Sequence, residues 1–157
     1  MAARSIGWRV KETLLELPVP CVMGVLNATP DSFHGASRVD PDGALRLADR
    51  MMNEGASILD IGGASSRPGS TGVPVDEELR RVVPVVKAVH QRFPEALLSV
   101  DTWRSEVARA AVHAGAGLVN DIGAGLLDAD MLPTVAALHV PYIAMHMQGT
   151  PATMQES

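Results

Sequence analysis

Aromatic residues, cysteine and long apolar runs are all scarce in this chain, and each scarcity excludes a class of protein. Aromatic residues make up 3% of the 157 residues, so the core has to be built from aliphatic side chains and Met. The single Cys21 cannot form an internal disulfide and is typical of a reducing compartment. No apolar run approaches the roughly 18 residues that a membrane-spanning helix needs. Residues 1–11 lack the apolar stretch of a secretory signal, so we expect a cytoplasmic location.

Charge of one sign is not concentrated anywhere along the sequence. The net charge is −5, and acidic and basic residues are interspersed. The chain therefore has neither the basic stripe of a nucleic-acid-binding protein nor a Lys/Arg cluster for a membrane surface. Hydrophobic residues account for 46%, which excludes a disordered chain. Because there is no linker or low-complexity tract, residues 1–157 are predicted to form a single domain.

The chain repeats a unit in which a short apolar run leads into a polar turn and then into an amphipathic helix. The runs are almost continuous and rich in Val, Ile and Leu, as in parallel strands buried on both faces. Five runs fit: Cys21–Leu26, Ser57–Ile61, Leu97–Val100, Gly117–Val119 and Pro141–Met145. Right-handed crossovers then give a parallel sheet, either open and doubly wound or closed as a barrel. Residues 8–17 are expected to form a small hairpin or plug.

Helix signals occupy the segments between these runs. Pro41 suits the first position of a helix capped by Asp40, and Gly55 is placed to end it. A second helix is predicted to start near Asp76, with a kink at Pro84. Apolar spacing predicts two further helices, over residues 107–114 and 131–138.

Polar residues follow each predicted strand at the point where it ends. They occupy residues 27–33, 62–69, 101–102, 120–121 and 146–149. Ligands bind at the carboxyl ends of the strands in both kinds of parallel sheet, so five clusters in register favour one shared site. Structural alternatives stay open, since Asp101 could cap the third helix and Asn120 could bridge two strand ends. The second cluster combines hydroxyls, Arg67 and glycines, which suits an anion but also a plain surface loop.

Metal and nucleotide motifs are missing. His90, His113 and His139 fall in predicted helices, and His146 alone ends a strand. No pair of histidines has the spacing of zinc ligands, and there is neither a Walker loop nor a G-x-G-x-x-G turn after a strand.

The strand-end motifs, taken together, resemble those of dihydropteroate synthases. The first reads MGVLNATPDSF over residues 23–33, and the second combines ILDIGG at 58–63 with SSRPG at 65–69. The later ones are SVDT at 99–102, VNDI at 119–122 and MHMQG at 145–149. The resemblance covers nearly the whole chain, from about residue 22 to 155, and five motifs in register make it specific.

This resemblance implies a (β/α)8 TIM barrel of which about five β/α units are present. It also implies a transferase that joins 4-aminobenzoate to (7,8-dihydropterin-6-yl)methyl diphosphate, releases pyrophosphate and uses Mg²⁺. The family's later strands carry an Asp, a Lys and an Arg–His pair, and nothing in the chain matches them. We therefore expect the barrel to be cut short after strand five and these 157 residues alone to be inactive.

The resemblance implies substrate-binding residues and one residue at the metal site, while the catalytic residues stay unknown. Asn27 is expected at the Mg²⁺–pyrophosphate end, and Ser66 stands where the family contacts substrate. Asp101 and Asn120 stand at positions where the family binds the pterin ring. A carboxylate next to a carboxamide suits this role, because the two groups can pair with the donors and acceptors of an aminopyrimidine edge.

Loop residues complete the expected substrate pocket. Arg67 is expected to contribute to the anion cradle, while Phe33 and Pro68 would shape the 4-aminobenzoate slot. The chain departs from the family at residues 34–37, which read HGAS instead of the frequent Asp-Gly-Gly, and at Ala64, where Glu is frequent. These departures leave the first loop's contacts open.

Two other functions compete with the synthase. One is a pterin-binding methyltransferase domain, against which the loop at residues 65–69 argues. The other is a non-catalytic or partner-dependent pterin-binding chain. Small-molecule substrates are the expected partners, with no nucleic acid and no membrane, and the full-length form is expected to be a homodimer.

Overall fold

The computed structural model describes residues 5–28, 41–64 and 73–145. Two strands, β1 (Ser5–Val10) and β2 (Thr13–Pro18), come first and pair with each other as an antiparallel hairpin. Strands and helices then alternate: β3 (Met23–Asn27), α1 (Pro41–Asn53), β4 (Ile58–Gly62), α2 (Val75–Arg92), β5 (Leu97–Asp101), α3 (Ser105–Ala114), β6 (Leu118–Asp121), α4 (Met131–Leu138) and β7 (Tyr142–Ala144). The predicted order of strands and helices is confirmed.

The five later strands form one parallel sheet in the order β3-β4-β5-β6-β7. Each strand therefore pairs with the next one along the chain, and the order never reverses. An open doubly wound sheet reverses its strand order at a switch point, whereas a barrel proceeds around in one direction. The sheet is thus part of a β/α barrel, which confirms the predicted fold class.

The helix ends lie where the sequence places them. Helix α1 begins at Pro41 and ends just before Gly55, whose φ of +104° is a conformation that favours glycine. Helix α3 likewise ends at Gly115, with φ of +128°. The kink predicted at Pro84 does not interrupt α2, which is one helix from Val75 to Arg92 with Pro84 on its exposed side. None of the described helices is long and apolar enough to cross a bilayer.

Strand ends differ from the predicted ones by up to two residues. The first strand of the parallel sheet starts at Met23 rather than Cys21, and the last one covers only Tyr142–Ala144. The fourth continues through Asn120 and Asp121, which were predicted to follow it. Backbone hydrogen bonds to the neighbouring strands continue across these polar residues, so side-chain polarity does not mark where a strand stops.

Two apolar layers stabilise the sheet. On its outer face, Leu59, Ile61 and Val100 pack against the buried sides of the four helices. On the inner face, Ile58, Leu97 and Leu118 form a smaller cluster at the starts of the strands. The hairpin closes this end of the sheet with Leu17, Trp8 and Val10, so residues 8–17 are both the hairpin and the plug that were predicted. Each fully buried aliphatic side chain contributes about 1.5–3 kcal/mol to this core.

Candidate active site

The inner face of the sheet changes from apolar to polar between the starts and the ends of its strands. Beyond the apolar layer, Asp60 of β4 lies in register with Ser99 of β5. One pleat further, Gly62, Asp101 and Asn120 are in register on three adjacent strands. Side chains two residues apart share a face, so these polar groups line the same inner surface. The polar residues at the strand ends were predicted to lie together in one region. This is confirmed for the second, third and fourth clusters, through Gly62, Asp101 and Asn120.

Asp60 and Asn120 are joined directly although one strand separates them. The Asn120 Nδ2 group donates a hydrogen bond to Asp60 Oδ2 at 2.9 Å. Asp60 is 4% exposed, and its second oxygen, Oδ1, has no hydrogen-bond partner among the described residues. The buried Ser99 hydroxyl also lacks a partner there. Burial raises the pKa of Asp60, and its contacts with Ser99 and Asn120 only partly oppose this.

The expected alternative for Asn120, a bridge between strands, is therefore present. It does not exclude a binding role, because the amide has a carbonyl oxygen and a second N–H beyond the group that Asp60 holds.

Asp101 is half-buried at the end of β5 in a strongly acidic environment. Burial is the largest cause that raises the pKa of its carboxyl from 3.8 to about 7. Repulsion from Asp60, Glu78 and Asp121 adds to it. Gly62 leaves room for this side chain, because a Cβ atom there would lie 3.3 Å from Asp101 Oδ2.

The alternative that Asp101 caps the third helix is wrong. The hydrogen bonds at the start of α3 come from other side chains: Thr102 Oγ1 accepts from the backbone N–H of Arg104 at 3.2 Å, and Asp128 Oδ2 accepts from that of Ser105 at 2.7 Å. The Asp101 carboxylate therefore takes no part in the helix cap and lies on the inner face of the sheet, beside Asn120.

Asp121 shapes the turn that follows β6. Its carboxylate accepts hydrogen bonds from the backbone N–H groups of Gly123 and Gly125, at 2.7 and 2.8 Å, and from the Tyr142 hydroxyl at 2.7 Å. Burial and this bond raise the pKa of the Tyr142 phenol. The side chain is 1% exposed, so Asp121 is a structural residue that fixes the backbone next to Asn120.

A buried ion pair supports the end of β5 from outside the sheet. Glu78 of α2 is 1% exposed; it accepts a hydrogen bond from Thr102 Oγ1 at 2.6 Å and pairs with the Arg104 guanidinium. Arg104 Nη2 also donates to the Val73 carbonyl at 2.6 Å. Since Thr102 follows Asp101 directly, this network fixes the backbone from which Asp101 projects.

A second arginine holds the other side of the same region. Arg81 Nη1 donates to the Gly63 carbonyl at 3.0 Å, and Arg81 Nε pairs with Glu77 at 2.8 Å. Gly63 and Val73 flank residues 65–72, so α2 and Arg104 anchor the chain on both sides of the second predicted loop.

Asn27 is exposed at the end of β3, in register with Gly62. It lies at the same edge of the sheet as Asp101 and Asn120, two strands from Asp101. The remaining predicted site residues, Phe33, Ser66, Arg67 and Pro68, lie outside the described residues, as does His146.

Sequence reasoning missed Asp60 and the pair formed by Glu78 and Arg104. A signal for Asp60 was present, because a carboxylate in the middle of an apolar run such as ILDIG has to be buried with its strand. Glu78 and Arg104 gave no such signal, because an acidic first turn is ordinary in helices and the partners are 26 residues apart.

Residues 23–157 match the family model described as pterin binding enzyme. The chain belongs to this family. It is 48% identical to the dihydropteroate synthase of Escherichia coli over 146 residues, which cover 92% of this chain and 51% of that protein. The pterin-binding family therefore accounts for the strand-end motifs recognised in the sequence.

Solved structures agree with this membership. The dihydropteroate synthase of Yersinia pestis, solved in a sulfonamide drug complex, is 46% identical to this chain and matches it with a TM-score of 0.84. The match covers 97% of this chain and 54% of that one. The Burkholderia cenocepacia synthase complexed with 7,8-dihydropteroate is 45% identical with a TM-score of 0.77; the match covers 95% of this chain and 49% of that one. The chain thus spans about half the length of these bacterial relatives.

Proposed function

We propose that this chain forms the pterin-binding part of a dihydropteroate synthase. The reaction joins 4-aminobenzoate to (7,8-dihydropterin-6-yl)methyl diphosphate and releases pyrophosphate. The observation that carries the proposal is the inner-face cluster of Asp101 and Asn120, adjacent in register and backed by Asp60. It lies at the carboxyl ends of the strands, where barrel enzymes bind their substrates.

The chemistry of this cluster suits a pterin. The aminopyrimidine edge of a pterin presents N–H donors next to acceptors, and a carboxylate beside a carboxamide can pair with both kinds of group. Each hydrogen bond to a charged group contributes about 1.5–3 kcal/mol. The acidic surroundings strengthen the case, because a ligand that donates N–H groups relieves the repulsion between Asp101 and its neighbours.

Mg²⁺ is the cofactor we propose, at the diphosphate end of the substrate. The described residues contain no group of three His, Cys, Asp or Glu side chains that could hold a metal by themselves. The proposed Mg²⁺ ion would keep several waters and bind through substrate phosphates and one or two protein oxygens. Asn27 supplies a carboxamide oxygen at this edge of the sheet, and the ion would stabilise the charge of the departing diphosphate.

In the proposed site, Phe33 and Pro68 shape the 4-aminobenzoate slot, Ser66 contacts substrate and Arg67 belongs to the anion cradle. The hydrogen bonds from Arg81 to the Gly63 carbonyl and from Arg104 to the Val73 carbonyl support this part of the proposal, because they fix the described chain on either side of the segment that carries Ser66, Arg67 and Pro68. Homodimerisation of the full-length form and a cytoplasmic location belong to the same proposal, the latter supported by the single cysteine.

Calorimetric titration of the chain with a phosphate-free pterin tests this function. We expect measurable binding that weakens at least tenfold, about 1.4 kcal/mol, in Asp101→Ala. The matched control is Asp49→Ala, which removes an exposed carboxylate on α1 and should leave the affinity unchanged. Equal affinity of the Asp101→Ala variant and the unmodified chain would remove Asp101 from the site. Because these 157 residues alone are expected to be inactive, pyrophosphate release with both substrates and Mg²⁺ is followed in the full-length form, where it separates a synthase from a protein that only binds pterin.

A further inference from the structure

The contacts of Asp60 are unusual for a residue in the middle of a core strand. Its neighbours in β4, Leu59 and Ile61, are almost fully buried and apolar. Asp60 is buried to a similar degree, yet only one of its two oxygens has a hydrogen-bond partner among the described residues, and that partner is Asn120. An apolar side chain in its place would avoid the cost of burying a carboxylate. The packing of the sheet therefore does not account for an aspartate here.

We propose that Asp60 is a positioning residue that fixes the side-chain amide of Asn120 for ligand binding. The inference rests on the proposed function, since it concerns how that site is prepared. Asp60 reaches Asn120 across β5, from one pleat deeper on the inner face. At 4% exposure it lies beneath the half-buried Asn120, so it acts through the amide.

The bond fixes which way the amide points. A carboxylate accepts hydrogen bonds and an amide NH₂ group donates them, so the Asn120 nitrogen faces Asp60. The opposite orientation would place the amide oxygen against the carboxylate, which is repulsive. One orientation is thus selected before any ligand arrives, with the carbonyl oxygen and the second N–H left for the ligand. A ligand that meets an oriented amide does not have to order it on binding.

Side-chain amide exchange in the ligand-free chain tests the positioning directly. The sequence contains three asparagines, Asn27, Asn53 and Asn120, so ¹⁵N-asparagine labelling gives three side-chain signals. We expect the Asn120 amide protons to exchange at least about tenfold more slowly than those of the exposed Asn27. Asp60→Leu, which removes the acceptor and adds some bulk, should abolish most of this difference, and Asp60→Asn is the variant of matched size. Asp60→Asn keeps a neutral acceptor and should retain an intermediate rate.

Ser99→Ala is the matched control. It removes the buried hydroxyl beside Asp60, which has no hydrogen bond to Asn120, and leaves the Asp60 carboxylate in place, so it separates a general disturbance next to Asp60 from loss of the acceptor itself. Its Asn120 exchange rate should stay within about twofold of the unmodified chain. Circular dichroism and the urea midpoint show whether each variant is folded. If Asp60→Leu does not fold, Asp60→Asn supplies the comparison.

Pterin affinity provides the second measurement. Titration with a phosphate-free pterin should show a loss of at least about fivefold in Asp60→Leu. The same substitution in an Asn120→Ala background should change affinity by less than about twofold, since the positioned group is already absent.

Two results would overturn the proposal. One is an Asn120 exchange rate that does not change in a folded Asp60→Leu or Asp60→Asn variant. The other is an equal loss of affinity in both backgrounds, which would mean that Asp60 acts independently of Asn120. A chain that binds no pterin at all would refute the proposed function instead, while the exchange rates would still decide whether Asp60 positions Asn120.

Discussion

Replacing Asp101 by Asn should make the chain more stable at neutral and alkaline pH while damaging its site. The substitution keeps the size and shape of the side chain and removes its ionisation. The carboxylate is penalised in the folded chain, first by burial and then by the negative charges of Asp60, Glu78 and Asp121. An uncharged amide avoids both penalties.

The size of the effect follows from the two pKa values. Asp101 titrates near 7 when folded, against 3.8 for an unperturbed aspartate, and this difference corresponds to roughly 4 kcal/mol. Because Asp101 is half-buried, solvent screening makes this an upper limit, and we expect a gain of about 2–4 kcal/mol. Between about pH 4 and pH 7 the folded chain keeps the Asp101 proton that the unfolded chain releases, so stability falls as pH rises through this window. In the Asp101→Asn variant, the free energy of unfolding should lack the part of this decrease that comes from Asp101.

Urea unfolding between about pH 4.5 and pH 8.5 measures this directly. The two proteins should have similar free energies of unfolding at the acidic end and should diverge as pH rises. A smaller slope is expected to persist in the variant, because burial also raises the pKa of Asp60. Asp49→Asn, an exposed change on α1, should follow the unmodified chain at every pH. An Asp101→Asn variant with the same pH dependence as the unmodified chain would refute the reasoning.

Three further substitutions test other parts of the structure. Glu78→Gln should destabilise the chain by about 3 kcal/mol in urea unfolding, because it leaves Arg104 without its charged partner; Glu95→Gln, an exposed change in the turn after α2, should barely move the midpoint. Asn27→Ala should weaken Mg²⁺-dependent binding of the pterin methyl diphosphate while leaving phosphate-free pterin unaffected, and equal losses in calorimetry would indicate a structural role. Val25 is 54% exposed on β3, an edge strand of the described sheet, and an exposed apolar edge favours association between copies, so we expect the chain to self-associate in sedimentation measurements and Val25→Lys to do so less; equal association of the two proteins would refute this.

Much of the architecture could be predicted from the sequence because short-range rules act in the same direction throughout. Continuous apolar runs mark strands that are covered on both faces, and Pro41, Gly55 and Gly115 mark helix ends through their backbone preferences alone. The predicted strand ends were less accurate, because the pairing of β6 with its neighbouring strands continues through the polar residues Asn120 and Asp121. The choice between barrel and open sheet depends on strand order, a long-range property that no local pattern determines.

The site was predictable only to the extent that it depends on strand ends. That Asp101 and Asn120 lie side by side could be predicted because parallel strands bring their carboxyl ends together, whereas their expected role towards a pterin came from the resemblance. The bond between Asp60 and Asn120 crosses an intervening strand, and the pair is 60 residues apart in the chain. The Glu78 network joins a helix to the loop after a strand in the same non-local way. Such contacts depend on the stagger of the sheet, which periodicity does not encode.

Stability and binding make opposite demands on the inner face. Its apolar layer, at the starts of the strands, is sealed by the hairpin and contributes to folding. Its polar layer holds Asp60, Asp101 and Asn120; burial opposes the charge of Asp101 first, and the negative charges of Asp60, Glu78 and Asp121 add to this. Folding alone would favour apolar or uncharged residues at Asp60 and Asp101. A ligand with several N–H donors reverses this preference, because it satisfies the oxygens and neutralises the repulsion at the same time. Under the proposed function, the energetic penalty of the free site would become part of the affinity for such a ligand, and a pterin edge would supply the required donors.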